Sequence, residues 1–357
     1  MSALPCDEFW KDQRVLVTGH TGFEGGWAVA WLLELGAEVG GYSLPPPQGP
    51  SMFEALGLYN RITSVYGDLR DAESLRRTFE AFGPTVVLHL GAEPSEDDAY
   101  ADPVSAYATN VMGLVNVLEL ARAHDSVGAT VVATSDGCYE PQEQIWPHRE
   151  TDRLGGRDPL SNSKACAELV VSGYWWSYFR HLKTQGLATA RAGNAMGGGD
   201  WSRDRLIPRL ISAFGDGRVG TVQEAESVRP WQHVLEPVCG YLRAAEHISR
   251  NARGEAPRSW NFGPDASNNV VGRLVARKLA CAWGEGAKVA VEAPSRAGPQ
   301  VDRLTLDSSK AEDELAWRPR WDLDRCVEAT VDWYRAFNDG ADMFAFTRSQ
   351  LEAYAEA

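Results

Sequence analysis

Three observations predict an α/β fold built on a doubly wound parallel sheet. Short β-branched runs alternate with helical stretches through the first half of the chain. A glycine-rich turn joins the first run to the first helix. The strand runs are apolar along most of their length, as strands covered by helices on both faces must be. At 357 residues the chain is long enough for two domains, at roughly 100–200 residues each.

The elements follow in order. Arg14–Thr18 reads as a strand that ends in Gly19, Gly22, Gly25 and Gly26. An apolar helix over Trp27–Leu35 stops at Gly36, a fitting C-terminal cap. Ala37–Tyr42 is the second strand, which completes a βαβ unit. Further strands are predicted over Ile62–Tyr66, Val86–His89, Thr130–Ala133 and Ala188–Ala192. Helices are predicted between them over Ala72–Ala81, Val104–Ala123 and Leu160–Leu182. Beyond about residue 193 the alternation becomes irregular, with Gly197–Asp200 and then a helix over Ile207–Gly215. Val234–Ser249 and Trp260–Phe262 read as segments that return to the first part. The predicted organisation is a Rossmann-type dinucleotide-binding domain over 1–193 with returning segments near 234–262. A smaller C-terminal domain, mainly substrate-binding, takes 194–357.

Composition narrows the partners. Lys+Arg number 35 against Asp+Glu 49, a net charge of −14. Such a surface repels polyphosphate backbones and anionic lipid, so neither nucleic acid nor a membrane is expected as a partner. The cysteines are scattered without a C-x-x-C pair and the histidines lack H-x-x-x-H spacing, so no metal site is expected. The chain start lacks a basic segment followed by an apolar run. A cytoplasmic location is the expectation.

The spacing Gly19-x-x-Gly22-x-x-Gly25 after a strand and before a helix points to a dinucleotide. Small residues let the backbone approach a pyrophosphate, and the helix N-terminus offers free N–H groups with partial positive charge. Thr21 and Phe23 in the turn, and Leu90 after the fourth strand, are candidate contacts. No Lys or Arg lies between Arg14 and Arg61 to meet a 2′-phosphate, so NAD is expected over NADP. In Gly67–Asp71, Asp68 reads either as a partner for the adenine amino group or as a helix N-cap, with Leu69 beside it.

Several longer runs carry a resemblance. They are Phe9–Lys11, Arg14–Phe23, Thr109–Gly113, Thr134–Asp136 and Cys138–Glu140 in the first half. Ala190–Asn194, Gly197–Trp201, Asp204–Pro208, Val228–Val234, Trp260–Pro264 and Leu315–Trp321 follow. Over essentially its whole length the chain resembles the CDP-D-glucose 4,6-dehydratases, extended short-chain dehydrogenases/reductases. The resemblance implies NAD as a cofactor, Asn110 among its contacts, and a nucleotide-linked substrate, most simply a CDP-sugar. It also implies a homodimer or homotetramer. Ser135, Asp136 and Lys164 take the catalytic positions, with Lys164 also at the nicotinamide ribose. Asn194, Arg205, Leu206, Arg229 and Asn261 take the substrate positions. Arg229 reads on its own residues as either a phosphate ligand or a domain-bridging ion pair.

Against that pattern five positions are changed. Leu160 replaces the tyrosine that serves as base at C4. Gly137 replaces the Glu or Lys after the aspartate. Asp97 and Asp98 stand where arginines are usual, and Glu24 stands where the glycine turn carries lysine. Two readings follow: an enzyme with a reworked constellation, acting by elimination or epimerisation, or an inactive relative that binds cofactor or nucleotide as a partner subunit. In the first, Asp136 or a carboxylate from Glu93, Glu96, Asp97 or Asp98 takes over the missing proton transfers.

Overall fold

The computed structural model describes residues 4–142, 144–252, 256–284, 286–293 and 301–357. Its centre is a parallel sheet of seven strands. These are β1 (Arg14–Thr18), β2 (Glu38–Ser43), β3 (Thr63–Tyr66), β4 (Val86–His89), β5 (Ala129–Ala133), β6 (Gly186–Ala192) and β7 (Arg258–Phe262). Their spatial order is β7-β6-β5-β4-β1-β2-β3. The chain winds outward from β1 to β3, then crosses back to β4, which places the topological switch between β1 and β4. Thr18 and His89 face each other there, Thr18 Oγ1 lying 2.8 Å from His89 Nδ1.

Strand alternation divides the core. Val15, Val17, Val86, Leu88 and Val131 pack on one face, against α1 (Phe23–Glu34) and a later returning helix. Leu16, Val87 and Val132 point to the other. That second face is covered by α2 (Ala72–Phe82), α3 (Leu114–Ala123) and α4 (Pro159–Ser177). The returning helix is α5 (Leu235–Arg250), and it is followed by β7, which pairs in parallel with β6. Short two-stranded ladders lie beyond the main sheet. Ala195–Met196 pairs with Gln232–His233, Val228–Pro230 with Asn269–Val271, and Gly220–Val222 with Val289–Val291.

Two predicted helices differ in form. The stretch expected as one helix over Val104–Ala123 is Pro103–Tyr107, a π-helical turn over Ala108–Gly113, and then α3. The wider turn brings Asn110 inward, and Gly113 sits where a Cβ would lie 2.8 Å from Leu69 Cβ. Pro103–Ala123 is long and apolar enough by length and composition to cross a bilayer. Leu114, Val117, Leu118 and Ala121 are instead buried against the sheet, as a covering helix requires. The helix predicted to run to Leu182 ends at Ser177, and one 3-10 turn over Phe179–His181 follows.

One buried carboxylate fixes α4 to the sheet. Glu168 accepts from Thr134 Oγ1 at 2.5 Å, Thr189 Oγ1 at 2.8 Å and Arg191 Nη2 at 2.7 Å. Both members of the ion pair are almost wholly buried, at 5% and 3% side-chain exposure. Removing one buried partner leaves the other charge uncompensated. Glu168→Gln is therefore expected to cost about 3–5 kcal/mol in urea denaturation, and Glu168→Leu with Arg191→Met to recover part of that loss.

Candidate active site

The glycine turn is built by close packing. Gly19 has φ +76°, and a Cβ there would lie 2.7 Å from Gly91 N; a Cβ on Gly25 would lie 2.1 Å from Gly19 O. Both positions demand glycine. Gly22 caps α1 in extended conformation with no side-chain hydrogen bond, so the amides of the first turn are left for a ligand. Thr21 Oγ1 is held by Ser43 Oγ at 2.8 Å and the Leu44 carbonyl at 3.0 Å, which ties the turn to the end of β2. Phe23 packs towards the Gly197 loop. Leu90 N donates to Thr18 O across the switch point. A turn of this geometry, with unfilled helix amides, fits a dinucleotide pyrophosphate.

Some candidate residues are engaged otherwise than the sequence suggested. Asp68 is not a helix cap: Asp71 caps α2, accepting from Ser74 N. The Asp68 carboxylate is gripped by Arg70 at 2.6 Å, which holds its pKa below the usual range. Leu69 is buried beside it. Asn110 is committed within the protein. Its Oδ1 accepts from Glu93 N, and its Nδ2 donates to Glu93 O and Ser163 Oγ, so it positions the Glu93 loop. Asn261, expected at the substrate, is fully buried. It accepts from Tyr139 Oη at 2.7 Å and donates to the carbonyls of His148 and Asp307. No donor remains for a ligand, so Asn261 is a cross-link in the core.

The remaining residues gather at the C-terminal ends of β4, β5 and β6. Ser135 and Asp136 follow β5 directly. Asp136 is buried, and its Oδ2 has no hydrogen-bond partner among the described residues. Burial pushes its pKa up to about 6, against the opposing charge of Arg229 and the amide of Gly137. Lys164 lies one turn after Leu160 on α4, so the two share a helix face. Burial lowers the Lys164 pKa, with Arg205 pushing the same way and Glu24 opposing. Burial and the Lys164 charge together hold His89 down to about 3, a neutral imidazole. Cys138 is buried and its thiol is pushed far up, which leaves it a packing residue.

Arg205 sits at the start of the helix Leu206–Gly215, 3.4 Å from Asp200 Oδ2, with Leu206 as the first helical residue. Asn194 follows β6; its carbonyl accepts from Gln232 N, and its side-chain amide has no partner among the described residues. Arg229 bonds the carbonyls of Val228 and Val301 and pairs with Glu224 at 3.2 Å. Its charge still reaches Asp136.

Asp97 and Asp98 are not on a loop. With Glu96 they form the first turn of the helix Glu96–Ala101, capped by Ser95, where negative charge suits the helix dipole. Glu93 lies deeper; burial raises its pKa, aided by Asp98 and Asp204.

The sequence reading passed over one residue of the cluster. Tyr241, on α5, is buried and donates its hydroxyl to Glu24 Oε2 at 3.1 Å. It lies within an apolar run and so reads as core; only the pairing of two chain-distant helices places it here.

A family model described as GDP-mannose 4,6 dehydratase matches residues 16–330. The chain belongs to this family. One relative, the CDP-glucose 4,6-dehydratase of Salmonella typhimurium, is 40% identical over 353 residues, covering 98% of both chains. Among solved structures, DesIV, a dTDP-glucose 4,6-dehydratase from Streptomyces venezuelae with NAD and TYD bound, superposes with a TM-score of 0.77 at 26% identity. It covers 92% of this chain and 99% of its own. The UDP-glucose 4-epimerase of Thermus thermophilus, in complex with NAD, gives 0.73 at 26% identity, with 90% and 98% covered. With 90% or more of this chain covered in both solved structures, the likeness extends beyond the seven-stranded sheet.

The Asp136 environment has a measurable consequence. Its folded pKa lies above the free value, so its contribution to stability is complete below about pH 4 and is lost as pH rises through about 6. Asp136→Asn is expected to raise stability by about 2–3 kcal/mol at pH 8. At pH 4 the difference is expected to vanish, as read by denaturant titration at both values.

Proposed function

We propose that this dehydratase-family protein binds NAD and modifies a nucleotide-linked sugar, with Asp136 carrying proton transfer in place of the family's tyrosine. The observation that carries this reading is the buried carboxyl of Asp136 just after β5, whose Oδ2 has no hydrogen-bond partner among the described residues. A carboxyl with its pKa near 6 can hold a proton to donate or, ionised, accept one near neutral pH. The resemblance gives the substrate as a CDP-sugar. The NAD-bound dehydratase and epimerase among the solved structures support the cofactor.

The turn Gly19–Gly25 and the first-turn amides of α1 would hold the pyrophosphate. Bound NAD supplies a reversible acceptor for hydride. Lys164 orients the nicotinamide ribose, and Arg205 and Asn194 face the substrate from beyond β6. Arg229 steadies the Asp136 carboxylate by its charge. Elimination or epimerisation needs a group that moves protons at the sugar; Asp136 takes that role in this reading, whereas Leu160 has no exchangeable proton. Residues 1–193 with 234–262 form the cofactor part in this reading, and 194–357 mainly the substrate part. The neighbouring helices at 103–123 and α4 leave Val104 and Leu169 exposed, apolar side chains that suit contact with a second copy of the chain.

The second reading, an inactive partner subunit, is favoured by Leu160 and Gly137 alone. Incubation with CDP-glucose and NAD separates the two, with the 4-keto-6-deoxy product followed in time. Ordinary dehydration is expected to be absent or far below ~1 per second; turnover in the usual range would mean that the missing tyrosine is not needed. Leu160→Tyr with Gly137→Lys is expected to raise dehydration. A Cβ at 137 meets Ser161 Oγ at 3.0 Å and Ser135 Oγ at 3.3 Å, hydroxyls that can rotate away. Asp136→Asn is expected to lower whatever turnover is found by about 10²–10⁴-fold while NAD titrates as before. No turnover across a panel of nucleotide sugars, with NAD bound, would favour the partner subunit.

A further inference from the structure

Glu24 occupies a singular place. It belongs to the first turn of α1, directly after the glycine turn. In an open parallel sheet a dinucleotide lies across the C-terminal ends of the strands. Its pyrophosphate sits at this helix start, and its two nucleoside halves lie on either side of the switch point. The side chain of Glu24 is not directed along the β2–β3 side. It accepts a hydrogen bond from Tyr241 at 3.1 Å, and Tyr241 stands on α5, which packs against β5 and β6. The charges it acts on are Lys164 and Arg205, both on the β4–β6 side. Tyr241 in turn feels Asp136, at the end of β5. The carboxylate thus reaches from the pyrophosphate turn into the half of the crevice that takes the second nucleoside.

We infer that Glu24 makes the site prefer the oxidised over the reduced nicotinamide. This rests on the NAD reading above. The two cofactor forms differ in one property that a fixed charge can sense: the oxidised ring carries a positive charge and the reduced ring is neutral. A carboxylate in that half of the crevice stabilises the first and not the second. Lys164 and Arg205 act oppositely, and Tyr241 holds the carboxylate in place against their pull. A lysine at position 24, as the resemblance has it, would have the reverse sign. The chemical consequence is directional. Removal of hydride from a sugar carbon, which turns the oxidised ring into the reduced one and the alcohol into a ketone with loss of a proton, is opposed. Return of that hydride is favoured.

The test needs no substrate. Dissociation constants for NAD and NADH are measured by titration on the full-length protein, for the unaltered chain and for Glu24→Gln, Glu24→Ala and Glu34→Gln. Glu34 lies at the far end of the same helix and pairs with Arg348. Both Glu24 variants are expected to reduce the preference for NAD over NADH by about tenfold, and Glu34→Gln to leave it unchanged. A ratio within twofold of the unaltered protein in the Glu24 variants, or an equal shift in Glu34→Gln, overturns the inference while leaving the NAD reading intact. Failure of the unaltered chain to bind either form overturns both.

Discussion

The geometry of the crevice depends on how a single buried carboxylate is satisfied. Glu168 lies on the helix that carries Leu160 and Lys164, and it takes hydrogen bonds from the end of β5 and from two residues of β6. Arg191 then extends the connection. It donates to Tyr139 Oη at 2.8 Å and to the Glu150 carbonyl at 3.1 Å. Tyr139 donates to Asn261 on β7, which holds the His148 and Asp307 carbonyls. One network therefore joins a helix, three strands and two later segments. A buried ion pair adds little net stability compared with apolar packing. Its value here is directional: hydrogen bonds set the height and rotation of α4 over the sheet. Lys164 and Asp136 are both positioned by that setting.

Upon this frame sits a site whose charges are arranged unlike those of the pattern it resembles. Asp136 is pressed towards its neutral form by burial, and Lys164 is weakened as a cation by burial and by Arg205. Glu24 supplies a negative charge beside them, oriented by a tyrosine from another helix. Leu160, where the resemblance expects a tyrosine, has no exchangeable proton. Asp136 keeps a buried carboxyl whose pKa near 6 lets it exchange protons near neutral pH.

Much of the fold was legible in the residues. Val86–His89 was located to the residue because Val, Val and Leu form an unbroken apolar run between turn signals. The glycine turn was equally plain from the spacing of Gly19, Gly22 and Gly25 between a strand and a helix, and φ +76° at Gly19 and the 2.1 Å approach at Gly25 give the reason for the residue type. The π-helical turn at Ala108–Gly113 was not legible. Its residues have ordinary helical character, and the widening answers to packing against Leu69 and to the partners of Asn110.

The site divides along the same line. Sequence by itself determined the parallel αβ alternation, the dinucleotide turn, the retained Asp136 and Lys164, and the replaced Leu160 and Gly137. The alternation and the turn are properties of residue identity at short spacing, whereas the retained and replaced positions rest on the resemblance. Only the tertiary structure decided that Asn110 and Asn261 are committed inside the protein and that Tyr241 holds Glu24. Those facts depend on contacts between residues as far apart as 217 positions. An amide or a carboxylate declares its role only through the partner that folding brings within hydrogen-bond distance.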